Sequence, residues 1–561
     1  NIDVCTPNPN YDASLGANGH EWLDYRRAVS ILRGMLRYQD ITQAQYNQAV
    51  AEVHDIFVNH KVFVNAYHND QSQTVNNGKL APAFVDWVLK QLTDDYGIQD
   101  VERAGLRVYT TLDYNLQKYA QDRIHYYMLE THDIRWPQYC PHGQCKGVPP
   151  ISSTGGAFNA AMVAEDQHTG DILALVGTAD YGSQNKKISG FIDMTGASDN
   201  VARSMGSSTK ALVYATAFQM GWTPATVLQD QPICWDDAQT TDPNANPNTP
   251  PQKSHSDAAP ACDGWYVPQN YTLGSYSGRA PIRLVLANSL NVPATEAMSF
   301  VGGKPDTSQN FLAMTSRLGI TSLSAGRMGV TTALGTQEIP LIQMTGAFAT
   351  FGNNGARVPQ RSILRIETAD GTVLYKAPAQ QKADQVLSPQ ADYMLTSVLS
   401  DNEARAADFG WDNPLFFPDF PVAAKTGTSQ GVIGPKDIIT MGYSPWLSLG
   451  VWMGNTDNSD MQHIAGITGA GFIFGDVMQY AHDTYKWPKV AGFPIPTGMS
   501  RAAFNCVTGL APYQGQPDTD CSFNPVTAGA TNLWGGYNFG HGIAHKPNED
   551  WYIQGQEPQQ S

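Results

Sequence analysis

The chain has no apolar run approaching the roughly 18–20 residues that a membrane-spanning helix needs, although 42% of its 561 residues are hydrophobic. It is also short of positive charge. With 35 Lys and Arg against 51 Asp and Glu, the formal net charge is −16. That argues against a nucleic-acid partner held by phosphate contacts, no Lys/Arg cluster suggests a polybasic lipid site, and solubility is the plain reading of the acidity. Heptads and tandem repeats are absent, so neither a coiled coil nor a solenoid is predicted. The chain opens on Asn1-Ile-Asp without an initiator methionine, a basic n-region or a signal-peptide core. This beginning reads as a fragment whose upstream part, with any membrane anchor, lies outside it.

What is present is globular. Twelve Trp and 25 Tyr supply large apolar clusters, and the length calls for about three or four units. Among seven cysteines, Cys140 and Cys145 are near neighbours, Cys234 and Cys262 bracket one loop, Cys506 and Cys521 bracket another, and Cys5 stands alone. Three loop-closing pairs fit an oxidising compartment, although spacing does not prove pairing. Zinc is the rival around Cys140-Pro-His142-Gly-Gln-Cys145, with His132 nearby, but that spacing matches no common zinc pattern. His541 and His545 have helical spacing but no glutamate between them, in a Gly- and Asn-rich tail.

Periodicity predicts helices over 22–36, from the capping box Thr42-Gln-Ala-Gln45, from Pro82, from Asp113 as N-cap, and over 211–220 with Gly221 as the stop. Further helices are predicted at 282–287, 308–318, 339–351 and 389–399. Strands are predicted at 105–112, in a hairpin of 160–165 and 171–176, and at 362–367, 373–375, 421–428 and 447–454. Pro-, Gly- and Ser-rich composition marks 133–157 as a linker or insertion, 235–262 as a long excursion, and the region from about 492 as an appendage.

Three short patterns carry chemistry. In Ser207-Ser208-Thr209-Lys210 a lysine three residues after a serine lies on the same helical face, where it can act as the base an unactivated hydroxyl needs. Ser204 and Ser208 have no lysine at that spacing. The apolar helix that follows places Ser207 near a helix N-terminus, favourable for developing negative charge. Ser289-Leu290-Asn291, at the end of the helix opening at Pro281, offers a hydroxyl to relay a proton and a carboxamide to hold an amide substrate. Lys425-Thr426-Gly427-Thr428, on a strand, offers a fixed positive charge, two hydroxyls and close backbone approach to a carboxylate. Each pattern alone is weak, since Ser-x-Asn is usually a cap and a strand-end lysine is usually solvated.

Together and in this order they are specific, and they resemble the motif set of penicillin-binding proteins and serine β-lactamases. The wider chain is similar to the class A, bifunctional penicillin-binding proteins of bacterial cell-wall synthesis. Gly105-Leu-Arg-Val-Tyr-Thr-Thr-Leu-Asp113 resembles the segment between their two enzymatic domains. Pro268-Gln-Asn-Tyr271, Ala287 to Ala294, Ala333-Leu-Gly-Thr336, Ala424 to Thr428 and Gly450-Val-Trp-Met-Gly-Asn455 resemble transpeptidase phrases. The resemblance divides the chain into the helical end of a glycosyltransferase domain (1–60, its catalytic part absent), an interdomain region (61–155), a transpeptidase domain (156–490) and a C-terminal appendage (491–561). Departures fall at Met205, Thr209 and Ala211, where the family usually has Pro, Phe and Pro, and at Asp437-Ile-Ile-Thr440.

The resemblance implies an α/β fold: a five-stranded antiparallel sheet flanked by helices, plus an all-helical subdomain. It implies a serine-type D-Ala-D-Ala transpeptidase without metal or cofactor, at the extracytoplasmic face of a bacterial membrane. Its partners would be stem peptides ending in D-Ala-D-Ala, β-lactams and other cell-wall synthesis proteins. Ser207 would be the nucleophile, Lys210 the base and Ser289 the proton relay. Asn291, Lys425, Thr426, Gly427 and Thr428 would bind substrate. The rivals are a hydrolase (D,D-carboxypeptidase or β-lactamase) and a non-catalytic β-lactam sensor or scaffold.

Overall fold

The hairpin predicted over 160–176 forms two neighbouring strands at one side of the main sheet, with the first of them buried on both faces. Ala161 and Val163 point into one apolar core, while Ala160, Met162 and Ala164 point into another, as a period of two requires. The computed structural model describes residues 41–57, 79–97, 105–235, 266–271, 276–302, 310–506, 508–511 and 549–558, with isolated positions in 29–37 and the pairs 253–254, 522–523 and 544–545. Cys5, Cys262, Cys521, His541, most of the 235–262 excursion and much of the predicted 22–36 helix lie outside the described residues.

The chain divides into two units, 1–78 and 79–561. In the first, helix α1 (Gln43–Phe57) opens with the predicted capping box. The Thr42 amide donates to Gln45 Oε1 at 2.9 Å, and the Gln45 amide to Thr42 Oγ1 at 3.3 Å.

The second unit runs through α2 (Pro82–Asp94), β1 (Arg107–Thr110), α3 (Tyr114–Leu129), β2 (Asn159–Asp166) and β3 (Asp171–Val176). It continues through α4 (Lys210–Gln219), α5 (Ile282–Ala287), α6 (Asn291–Gly302), α7 (Phe311–Arg317) and α8 (Leu341–Gly352). After β4 (Ile363–Glu367) and β5 (Val373–Lys376) come α9 (Pro389–Leu399), α10 (Asn402–Phe409), β6 (Ala423–Gln430), β7 (Pro435–Tyr443), β8 (Ser448–Gly454) and α11 (Ala470–Tyr485). The C-terminal part adds β9 (Met499–Ala503) and β10 (Glu549–Ile553). Asp113 caps α3 as predicted, accepting from the amides of Asn115 and Leu116.

The main sheet has five strands in the order β6-β7-β8-β2-β3, all neighbours antiparallel. Helix α8 packs on one face, and α3 and α11 on the other. This is the α/β arrangement that the resemblance implied. Strand β1, from the segment read as interdomain, pairs with β4 in a separate three-stranded sheet. Among the described residues, no helix is long and apolar enough to cross a membrane.

Strand β7 and helices α6, α10 and α11 were not predicted from periodicity. The reason is visible in β7, which is buried almost throughout and so shows no polar–apolar alternation for pattern reading to find.

The cysteines Cys140 and Cys145 form a disulfide, which rules out a zinc site built on that pair. Cys234 and Cys506 are also disulfide-bonded. The C-terminal strands β9 and β10 pair with each other and reach the main body through a buried ion pair. Asp550, 1% exposed, accepts from Arg283 Nε at 2.8 Å and from its Nη2.

Candidate active site

Ser207 lies in a 3₁₀ turn, Gly206–Thr209, that runs directly into α4. The turn is pressed against β6 by two glycines. Gly206 has φ +50°, and a Cβ there would sit 2.7 Å from the backbone of Thr428. A Cβ on Gly427 would lie 2.2 Å from the Met205 carbonyl oxygen. Only glycine allows this approach, which sets the backbone of Thr428 beside the serine turn. Ser208 is fully buried, and its hydroxyl is committed to the Met205 carbonyl at 2.6 Å. Ser207 is only half-buried. Met205, Thr209 and Ala211, where the chain departs from its resemblance, are all buried and contribute packing.

Lys210 is fully buried at the start of α4. Its Nζ donates to the Ser289 carbonyl at 2.5 Å and to Asn291 Oδ1 at 2.7 Å, with Ser289 Oγ at 3.4 Å. The expectation that α5 runs through Asn291 is corrected. α5 ends at Ala287, Ser289 takes a left-handed φ of +59°, and Asn291 opens α6. The break turns both the carbonyl and the hydroxyl of Ser289 toward lysine amines, which a continuous helix would not do. Such a φ is costly for a serine and clusters at functional positions.

From the sheet side, Lys425 Nζ donates to Ser289 Oγ at 2.8 Å and to the Thr426 carbonyl at 3.0 Å. The three motifs are thus joined by hydrogen bonds through Ser289. Thr426 is buried, Gly427 faces the serine turn, and Thr428 Oγ1 accepts from the Gly466 amide at 3.3 Å.

Burial pushes the Lys210 pKa well below its ordinary value, and the neighbouring Lys425 charge pushes it further down. Burial lowers Lys425 to about 7, with Asp408 opposing. Asp408 on α10 is itself raised to about 6 by loss of water, while Lys425 and then Lys210 pull it down.

Sequence reasoning missed Asp408, because nothing in its local pattern points to the cleft. It also missed a support behind Asn291. Asn270 accepts from the Asn291 amide at 2.8 Å and donates to Asp230 at 2.8 Å. The Asn291 carboxamide donates to the Gln269 carbonyl at 2.7 Å. The phrase Pro268-Gln-Asn-Tyr271 held the signal for this support. Asp437, at a departure from the family phrase, accepts from Arg203 Nε at 2.7 Å and from the buried Trp452 indole at 2.9 Å.

Comparison with known proteins agrees with the geometry. Residues 275–479 match the penicillin binding protein transpeptidase domain. That span contains Ser289, Asn291 and Lys425, while Ser207 and Lys210 precede it in sequence. Penicillin-binding protein 1A of Clostridium perfringens is 26% identical over 532 residues, covering 90% of this chain and 55% of that protein. The chain spans about half the length of the curated relatives it matches.

Penicillin-binding protein 1A of Haemophilus influenzae shares the fold with a TM-score of 0.59 at 17% identity, over 96% of this chain and 83% of that one. The PonA1 protein of Mycobacterium tuberculosis, solved in complex with penicillin V, gives 0.53 at 21% identity, over 74% and 95%. Motifs, sheet order and these relatives converge: the chain is similar over most of its length to penicillin-binding proteins, and residues 275–479 match their transpeptidase domain.

Proposed function

We propose that this chain is the transpeptidase part of a peptidoglycan-building enzyme, cross-linking stem peptides that end in D-Ala-D-Ala through an acyl-enzyme on Ser207. The observation that carries this reading is the meeting of Lys210, Asn291 and Lys425 around Ser289.

Burial and the Lys425 charge push Lys210 toward its neutral form, which has two N–H donors and one lone pair. The Ser289 carbonyl and Asn291 Oδ1 accept the two hydrogens, leaving the lone pair as a base. Lys210 takes the Ser207 proton as Oγ attacks the carbonyl between the terminal alanines. The backbone amides of Ser207 and Thr428 stabilise the oxyanion, each such donor supplying about 3–4 kcal/mol in related chemistry.

Because Ser289 Oγ accepts from Lys425, its own proton is free to pass to the leaving D-alanine amine, and Lys210 re-protonates it. Lys425, Thr426 and Thr428 hold the terminal carboxylate. The ester is then attacked by an amine of a second stem peptide. A new amide forms and the Ser207 hydroxyl is regenerated.

A β-lactam presents a similar carboxylate and a strained amide, and would acylate the same serine. The full-length protein would add glycosyltransferase activity and a membrane anchor from sequence outside this chain, placing the site at the extracytoplasmic face. Incubation with a fluorescent penicillin and peptide mapping tests the reading. A persistent adduct on Ser207, lost in Ser207→Ala, is expected. Rapid drug turnover would indicate a hydrolase, and a folded protein without adduct would refute the catalytic role.

A further inference from the structure

Outside the three motifs, one buried carboxylate joins both sides of the cleft. Asp437 on β7 is 3% exposed. Its Oδ1 accepts from Arg203 Nε at 2.7 Å and from the Trp452 indole at 2.9 Å. Its Oδ2 accepts from the Ser429 hydroxyl at 3.0 Å, and that hydroxyl in turn accepts from the Asp437 amide at 2.9 Å. Arg203 is held further through Nη2, which donates to the Asn455 carbonyl at 3.2 Å and to Asn458 Oδ1 at 2.9 Å. Both carboxylate oxygens are therefore engaged, and charge-assisted bonds of this kind fix direction as well as distance.

The partners of this carboxylate stand at two particular points of the chain. Arg203 and Ser204 form a short strand that leads into the Ser207 turn. Ser429 directly follows Thr428 on β6. The amides of Ser207 and Thr428, assigned above to the oxyanion hole, thus lie on segments tied to the same side chain. On the β6 side the tie falls where the ladder slips: Thr428 pairs with Ile438, and the register shifts before Gln430 pairs with Pro435. A strand bends and is re-aimed at such an irregularity, and the Ser429–Asp437 exchange pins it there. Gly206 and Gly427 let the turn and the strand approach closely, whereas Asp437 supplies bonds to both sides.

We propose that Asp437 is a positioning residue for acylation, holding the Ser207 turn through Arg203 and the Thr428 strand through Ser429 at the spacing that the oxyanion hole requires. It acts through these two backbone segments and not on substrate. The inference rests on the acyl-enzyme reading above and adds what sets the two amides in place before substrate arrives. Preorganised donors work only at their proper distance, and a misplacement of about 1 Å can cost about 10²-fold in rate.

Two variants of the full chain test this. Asp437→Asn keeps the shape and removes the charge that holds Arg203, while Ser429→Ala breaks only the strand-side tie. Saturation kinetics with a chromogenic β-lactam separate the acylation step from non-covalent binding. The acylation rate constant should fall by about 10²-fold in Asp437→Asn and about 10-fold in Ser429→Ala, with the dissociation constant of the non-covalent complex unmoved. A loss that appears in binding, or a rate equal to that of the unaltered protein, overturns the proposal. Since Asp437→Asn can fail to fold, Ser429→Ala, which leaves the Arg203–Asp437 pair intact, carries the test by itself. Crystal structures of the unaltered chain and Ser429→Ala give a readout that needs no acylation. The separation of the Ser207 and Thr428 amides should differ between them, and superimposable positions would overturn the positioning role. An unaltered protein that forms no adduct would instead refute the transpeptidase reading, and the crystallographic comparison would still decide this one.

Discussion

Helix α5 is anchored at its two ends by charged groups handled in opposite ways. Beyond its C-terminal end, two buried lysines converge on Ser289, and neither forms an ion pair among the described residues. Burial drives both pKa values down, Lys425 to about 7. Near its N-terminal end, burial also works against the Arg283 charge. There Asp550 and then Asp401 outweigh it and hold the pKa above the ordinary arginine value. The same short helix therefore carries a fully paired charge that secures structure and abuts unpaired charges that can titrate. Buried groups left free to exchange protons are the mark of a working site.

Substitutions at the two ends should separate along this line. Lys210→Met is expected to have the largest effect, lowering the acylation rate by about 10²–10⁴-fold, the usual weight of a general base. Stopped-flow measurement with a chromogenic β-lactam reads it, and a rate near that of the unaltered protein would remove Lys210 from the chemistry. Lys425→Met should lower kcat/KM for acylation by about 10–100-fold, the worth of a hydrogen bond to a charged group. It should leave stability unchanged or raised, because it deletes a buried charge.

Asp550→Asn should do the reverse. It should cost about 3–5 kcal/mol in urea unfolding by stranding Arg283, while the folded fraction still acylates. Arg283→Met combined with Asp550→Leu should recover most of that loss. Equal effects of Lys425→Met and Asp550→Asn on both readouts would erase the contrast.

The contrast also sets a pH dependence. A lysine whose folded pKa is about 7 loses its proton in the folded state while the unfolded chain keeps it to about 10.4. This group therefore makes stability rise with pH between those values. Over the start of the same window the charge proposed to hold a substrate carboxylate disappears. The KM for a stem peptide should climb as pH passes about 7, with Lys425→Met removing the dependence. The smallest effect belongs to Ser208→Ala. It deletes one buried hydrogen bond worth about 1 kcal/mol and should leave the adduct on Ser207 intact.

Much of this architecture is legible in the order of residues alone. The β2–β3 hairpin and α9 stand within a residue or two of their predicted limits, because short apolar runs either side of a turn mark a hairpin and a Ser-Pro start marks a helix. The motif residues are legible too, since each needs a particular functional group. Two features do not show. Strand β7 is buried almost throughout and has no polar face to reveal a period. Asp408 and the Arg283–Asp550 pair leave no local trace, because their meaning depends on partners distant in the chain.

The sequence by itself determined which side chains could do chemistry here, through residue types at short, helix-compatible spacing. It also determined that Ser207 rather than Ser204 or Ser208 has its lysine one turn away. Only the tertiary structure decided that Ser289 breaks its helix to face both lysines, and that β6 lies against the serine turn through Gly206 and Gly427. It also decided that the C-terminal strands supply the counter-charge for Arg283. Spacing along a helix is a local property, whereas pKa values and ion pairing depend on burial and on neighbours that only the folded chain brings together.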